Sequence, residues 1–213
     1  MARKICLVVA LMLLVLPAVS QAQDNWIFRV RGISISPNDS SSQILDTGTE
    51  VTVDSKTTFE VDLTYMFSDN VGLEVIAATA RHDLATAGGA LGGADAGSVK
   101  VLPPTVTLQY FFGSDTIRPY IGAGVNFTYF YSYDLSEDLA GLGITDVEFS
   151  NSFGFAGDVG IDFSLGGSWL LNLDAKYIMI STDADLMVDN DVLDTIDVDV
   201  DPWVYGVGIG YRF

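Results

Sequence analysis

The sequence predicts an all-β fold, an eight-stranded antiparallel transmembrane β-barrel with long loops at one end and short turns at the other. Three observations carry this reading. Eight segments alternate apolar with polar or small residues at a period of two. The connections between them alternate long and short. Past the first residues no apolar run reaches spanning-helix length, although 49% of the chain is hydrophobic and 21 residues are glycine.

The chain opens with Arg3 and Lys4, then an apolar run of 12 residues from Ile5 to Leu16. Pro17 breaks the run, and Ser20-Gln21-Ala22 offers small residues at the outer positions of a cleavage site. This pattern predicts a signal peptide over 1–22, cut before Gln23, and a barrel domain over 23–213. Cys6 is the sole cysteine and falls in the signal, so no disulfide or cysteine metal site is expected in the mature chain. Losing Arg3 and Lys4 takes the formal charge from −18 to −20. So acidic a surface repels nucleic acid, which needs Lys and Arg against its phosphates.

The eight segments follow in order. In 26–35, Trp26, Phe28 and Val30 oppose Arg29 and Arg31. In 59–67, Phe59, Val61, Leu63 and Tyr65 oppose Glu60, Asp62 and Thr64. In 71–80, Val71, Leu73 and Val75 oppose Gly72 and Glu74, and in 106–112, Val106, Leu108 and Tyr110 oppose Thr107 and Gln109. In 118–131, Ile121, Val125 and Phe127 oppose Arg118, Gly122, Gly124 and Asn126. In 153–163, Phe155, Val159 and Ile161 oppose Asp158, Gly160 and Asp162. In 169–181, Leu171, Leu173 and Tyr177 oppose Asn172, Asp174 and Lys176. In 203–213, Tyr205, Val207 and Ile209 oppose Gly206, Gly208 and Gly210.

Residues 36–58, 81–104, 132–152 and 183–202 read as long loops; 68–70, 113–116 and 164–168 read as tight turns. An even strand count puts both ends of the barrel domain on the turn side, the periplasm. A closed barrel satisfies its own backbone, so side chains alone decide which face meets lipid. The apolar parity faces lipid, and its aromatic residues fall in two belts, as amphipathic rings do at membrane interfaces.

The other parity faces the lumen. Near the loop end it is greasy, and Ile33, Ile76, Phe130, Ile178 and Ile180 are the expected binding site for a small hydrophobic ligand. Toward the turn end it carries Arg29, Arg31, Glu74, Asp158, Asp162, Asp174, Lys176 and Arg212, an expected plug of interlocking charges. Eight strands leave a lumen about wide enough for side chains or one small ligand. Pro103 and Pro104 lack the N–H a ladder needs; the pair reads either as an ordinary loop terminus or as the place of a sideways exit into the membrane.

PPTVTLQYFF, RPYIGAGVNFTYF, FGFAGDVGIDF, GGSWLLNLDAKYIMI and DPWVYGVGIGYRF resemble the OmpW family of small outer-membrane barrels. The resemblance is strongest from Pro103 to Phe213. It implies an eight-stranded barrel that passes small hydrophobic molecules into or across the outer membrane. Outer-membrane lipid, lipopolysaccharide and the barrel-assembly machinery are the expected partners, the last through Tyr211 and Phe213 in the final strand. A non-transporting barrel serving adhesion, phage or colicin reception, or envelope integrity is the rival reading.

Three other signals are weaker. His82 is the single histidine, and an exposed loop position is its ordinary reading; no catalytic role and no cofactor is expected. The aspartates from Asp183 to Asp201 lack the ordered glycine turn of a calcium loop and read as a solvated acidic loop. Gly206, Gly208 and Gly210 recur at a spacing that does not match the dinucleotide fingerprint.

Deleting Phe213 is expected to abolish insertion. The truncated protein should collect as periplasmic aggregates on fractionation; normal outer-membrane levels would remove the assembly role from the last residue.

Overall fold

The computed structural model describes residues 25–45, 47–189 and 191–213. The expected signal peptide, its expected cleavage site and Cys6 lie outside them.

In chain order the elements are β1 (Trp26–Ser36), β2 (Ser40–Ser41), β3 (Glu50–Val53), β4 (Lys56–Met66), β5 (Val71–Ala78), β6 (Ala80–Ala87), β7 (Asp95–Leu102), β8 (Thr105–Phe111) and β9 (Ile117–Asp134). A short helix α1 (Glu137–Gly141) comes next. Then follow β10 (Asp146–Phe149), β11 (Ser152–Gly166), β12 (Trp169–Ile178), β13 (Ser181–Val188), β14 (Asp191–Asp199) and β15 (Trp203–Arg212). Eight of these form the barrel, in the order β11-β12-β15-β1-β4-β5-β8-β9, and β9 returns to β11 to close it. All these pairings are antiparallel. Trp26 N–H donates to Phe213 O and Phe213 N–H to Trp26 O, both at 2.9 Å, where the first and last barrel strands meet. Among the described residues no helix is long and apolar enough to cross a membrane; the chain crosses with strands.

The eight strands are those the alternation predicts, with the expected parity. Arg29, Arg31, Glu74, Asp162 and Lys176 are buried in the lumen, while Phe28, Ile121, Phe155, Leu173, Val207 and Ile209 stand exposed outside. Ring pairs mark both edges of this apolar belt: Trp26 with Tyr65 and Trp169 with Tyr211 at the turn end, Tyr129 with Tyr131 and Trp203 with Tyr205 at the loop end. The tight turns differ slightly from expectation. β11 runs on to Gly166 through an irregularity at Ser164/Gly166, and Gly166 and Gly167 turn the chain at φ 104° and 58°.

The long connections depart furthest from expectation. Most of their length is strand. β6 and β7 form a hairpin that adds β3 on one side and the extended upper half of β9 on the other. β13 and β14 form a second hairpin, flanked by β10 and β2 in a separate sheet of 4 strands. The cause lies in their own alternation. Thr182, Ala184 and Leu186 are buried while Asp183 is exposed and Asp185 half-buried; Ala80, His82, Leu84 and Thr86 are buried while Arg81 and Asp83 are exposed. The aspartates are therefore the solvated half of an amphipathic sheet rather than an irregular acidic loop. The apolar half packs inward as one cluster that includes Ile44, Leu84, Val99, Leu139, Val147 and Ile196.

Inside the barrel the lumen is layered. At the turn end Ile27, Met66, Phe111, Tyr120 and Leu170 form an apolar base. Charged side chains fill the middle, and Ile33, Ile35, Ala156, Ile178, Ile180 and Val204 begin the apolar upper layer.

Leu173 lies midway along β12, exposed on the outer face between Ile161 and Val207. Leu173→Arg should lower the unfolding free energy in lipid vesicles by about 2–4 kcal/mol, as a cation at the membrane midplane does. A urea titration checks this; a change below about 0.5 kcal/mol would move Leu173 off the lipid face.

Candidate functional site: an apolar cavity above a buried charge network

The network grows from the register. Arg29 of β1 sits beside Asp62 of β4 and Gly210 of β15; Arg31 sits beside Glu60 and Gly208. Each arginine thus has a carboxylate on one side and a glycine on the other. A Cβ at Gly208 would lie 2.1 Å from Val30 O and 2.9 Å from Arg31 Cγ, so only glycine leaves room for the arginine stem.

Arg29 donates twice to Asp162, from Nε to Oδ1 at 3.2 Å and from Nη2 to Oδ2 at 2.7 Å, and its Nη1 reaches Asp62 Oδ1 at 3.0 Å and Thr64 Oγ1 at 2.9 Å. Arg31 donates to Glu60 and Glu74, both at 2.7 Å, and to Asn172 Oδ1 at 2.8 Å. Lys176 Nζ donates to Glu60 at 2.8 Å and to Asp174. Tyr120 Oη donates to Asp174 at 2.9 Å, and Gln109 Nε2 bridges Glu74 and Asp158 at 2.9 and 2.7 Å. Charge-assisted and bidentate bonds of this kind are the strong ones, and the water-poor lumen makes them costly to break.

Two expected members of the plug are placed differently. Arg212 makes no ion pair among the described residues, and its Nε and Nη2 have no hydrogen-bond partner. It lies beside Ile27, level with the apolar base and below every carboxylate of the network. Asp158 makes no ion pair either. It faces Lys176 across the β11–β12 ladder, but Lys176 turns to Glu60 and Asp174, and Gln109 is left as its partner. Glu60 and Asp62 are full members that the expected plug left out.

Above the network is a cavity of about 100 Å³, walled almost wholly by apolar side chains. Of the expected ligand residues, Phe130, Ile178 and Ile180 line it. Ile33 and Ile76 do not; they are buried on the lumen face beneath it. Most of the wall comes instead from the connections, including Leu84 of β6, Val99 of β7, Leu139 of α1, Leu186 of β13 and Ile196 of β14. The cavity therefore sits higher than expected, largely within the loop-end extension. The signal that could have found it is the inward parity of the two hairpins.

His82 also lines the cavity and is buried, not the exposed loop residue expected. Its Nδ1 lies 3.1 Å from Asp54 O, and burial pushes its pKa below the ordinary imidazole value. The ring is thus neutral at pH 7 and leaves the wall uncharged.

The ladders of the barrel wall break beside Pro103, which itself lines the cavity. The β5–β8 ladder ends at Ile76 opposite Thr105, and the β6–β7 ladder starts at Ala80 opposite Val101. Residues 77–79 and 102–104 face each other between them. Thr79 Oγ1 donates to Val101 O at 3.1 Å, and Pro104 O accepts from Phe127 N–H at 3.0 Å. A second break lies between the Tyr177–Trp203 and Ser181–Asp199 pairs, where Ile178 N–H donates to Pro202 O and Val200 N–H to Ile180 O across it.

The model of the OmpW family matches residues 22–213. The chain belongs to the OmpW family. It is 40% identical over 201 residues to outer membrane protein W of Vibrio cholerae, covering 92% of each chain. The crystal structure of the outer membrane protein OprG from Pseudomonas aeruginosa superposes with a TM-score of 0.81 at 36% identity, covering 89% of this chain and 95% of that one. A dibenzothiophene metabolism operon protein, PahQ of Pseudomonas aeruginosa, is 27% identical over 217 residues, covering 99% of each. This OmpW-family chain is accordingly an outer-membrane β-barrel, its loop end outward and its turn end in the periplasm.

Arg31→Leu would strand Glu60 and Glu74 without their guanidinium in a dry lumen. It should cost about 3–5 kcal/mol of folding stability. Urea unfolding of the refolded barrel checks the value; a loss under about 1 kcal/mol would mean the network is not what holds the middle of the barrel.

Proposed function

We propose that this barrel admits small hydrophobic molecules from outside into the loop-end cavity and releases them sideways into the membrane beside Pro103 and Pro104. The observation that carries this is the apolar cavity closed from below by the ion network. An apolar solute at the cell surface faces a polar lipopolysaccharide layer. A cavity that covers roughly 150 Å² of it offers roughly 4 kcal/mol, at about 25 cal/mol per Å². Going straight down would mean parting buried ion pairs, which is far more costly than that gain. The break in the wall between Ile76 and Ala80 adjoins the cavity at Pro103, and outside it lies lipid. The name of one relative, tied to dibenzothiophene metabolism, agrees with apolar cargo.

The test places a carboxylate in the cavity. Ile178→Asp with Leu186→Asp leaves the outer face untouched, so the barrel should still insert and keep its heat-modifiable mobility. Uptake of a labelled hydrophobic solute by cells should drop by about ten-fold, the factor that goes with losing about 60 Å² of apolar contact. Unchanged uptake in the folded double variant would sink the proposal and favour a structural or surface-receptor barrel.

A further inference from the structure

The chain has 10 Lys and Arg in all. Arg3 and Lys4 fall in the expected leader, outside the described residues, and Arg29, Arg31, Arg118, Lys176 and Arg212 lie on the lumen parity of the barrel. The three that remain, Lys56, Arg81 and Lys100, come from separate strands, β4, β6 and β7. All three line one groove of about 350 Å³ on the outside of the protein, together with Thr58, Thr79 and Tyr131.

The height of this groove identifies what it meets. Along β5 and into β6 the outward parity reads Val71, Leu73, Val75, Ala77, then Thr79 and Arg81. Along β4 it reads Val61, Phe59, then Thr57. Apolar side chains thus give way to hydroxyls at one level on both strands, and on β6 to a cation; Lys56 and Thr58 lie on the other parity, at the upper end of β4. Tyr131 of the outer aromatic belt forms the groove's lower edge, its hydroxyl 2.8 Å from Thr79 Oγ1. That is where hydrocarbon ends and headgroups begin. The groove is also preformed: Thr58 Oγ1 donates to Thr79 O at 3.1 Å, and Arg81 Nε to Ser98 Oγ at 2.9 Å.

We propose that this groove is a docking site for a phosphate-bearing lipid headgroup of the outer leaflet, of the lipopolysaccharide type. Lys56, Arg81 and Lys100 would meet the phosphate, while the hydroxyls of Thr58, Thr79 and Tyr131, whose protons go to Thr79 O, Val101 O and Thr79 Oγ1, shape the groove beside it. Asp83 and Asp134 compete, since Lys56 lies 3.0 Å from Asp83 and Arg81 lies 3.3 Å from Asp134. Both pairs are solvent-exposed, where ion pairs are weak and readily exchanged for a doubly charged phosphate. Lys100 has no carboxylate partner among the described residues. An otherwise acidic outer surface would repel an anionic leaflet; concentrating its accessible cations at one headgroup-level groove supplies a defined point of attachment. The groove shares Thr79 with the wall break, so it adjoins the proposed exit, but the inference does not rest on the transport reading: its test reads headgroup retention, not solute uptake.

The test compares lipids. The folded barrel is placed in phosphatidylcholine vesicles containing either diphosphorylated lipid A or the same lipid with its phosphates removed, and lipid retained on the protein is measured by native mass spectrometry. The natural chain should hold the phosphorylated lipid at least about ten-fold more strongly, with the preference shrinking in high salt. The triple variant Lys56→Gln, Arg81→Gln, Lys100→Gln should reduce that preference to about two-fold or less. Lys100→Gln alone should reduce it about three-fold, which keeps the proposal open to refutation if the triple variant fails to fold. Equal retention of the two lipids by the natural chain, or a full preference in a folded variant, would overturn the proposal. Complete competition by millimolar inorganic phosphate would also overturn it, because the site would then be one for free phosphate.

Discussion

The insertion of two arginines into the closed lumen is the constraint on which the rest of this barrel depends. Arg29 and Arg31 are fully buried, and neither can lose its charge to lower the cost. Their partners must therefore be assembled from most of the wall. Asp62 and Glu60 come from β4, Glu74 from β5, Asp162 from β11, and Asn172 from β12. The glycines of β15 leave room for the stems, and Tyr120, Gln109 and Thr107 donate to carboxylate oxygens that the cations do not cover. A network tied to so many strands also fixes their register. A one-residue slip of β4, β5, β11 or β12 would carry its carboxylate to the lipid face.

How much of this is legible in the sequence follows from the same chemistry. The spanning strands are readable because lipid and lumen demand opposite side chains at alternate positions. Leu171 and Leu173 beside Asn172 and Asp174 leave little choice of face. Height within the lumen is less readable. Parity places Ile33 and Ile76 on the inner face, but not relative to the cavity floor, which depends on how far the wall continues above them. The loop-end hairpins are hidden by composition. Their inward residues include Ala184, Thr182 and Ala80, small enough to blur the period, and the outward residues of the β13–β14 hairpin are largely aspartates that resemble a disordered acidic run.

The extension explains why an apolar cavity lies above a filled barrel. Two amphipathic hairpins rise from the rim with their apolar faces turned toward one another, and enclosing those faces is the hydrophobic gain that holds them up. The outward carboxylates carry a cost. Asp183 and Asp197 face each other across the β13–β14 ladder, and the hydrogen bond between them pushes the Asp183 pKa up. Their benefit is solubility, and the charge discourages the hairpin edges from pairing with other strands.

The wall break and the closed floor form one arrangement. A barrel survives in lipid because no backbone N–H is left without an acceptor. Opening a ladder therefore ordinarily exposes donors on both lips. Here one lip holds Pro103 and Pro104, which have no N–H to lose. The carbonyl oxygens nearby are met otherwise: Val101 O by Thr79 Oγ1, and Pro104 O by the Phe127 N–H and, at 3.3 Å, by Asn126 Nδ2. The discontinuity is thus inexpensive at this place. It also falls above the ion network and level with the cavity, so a place where the backbone parts at little cost coincides with the height at which an apolar solute has no lower-energy way down.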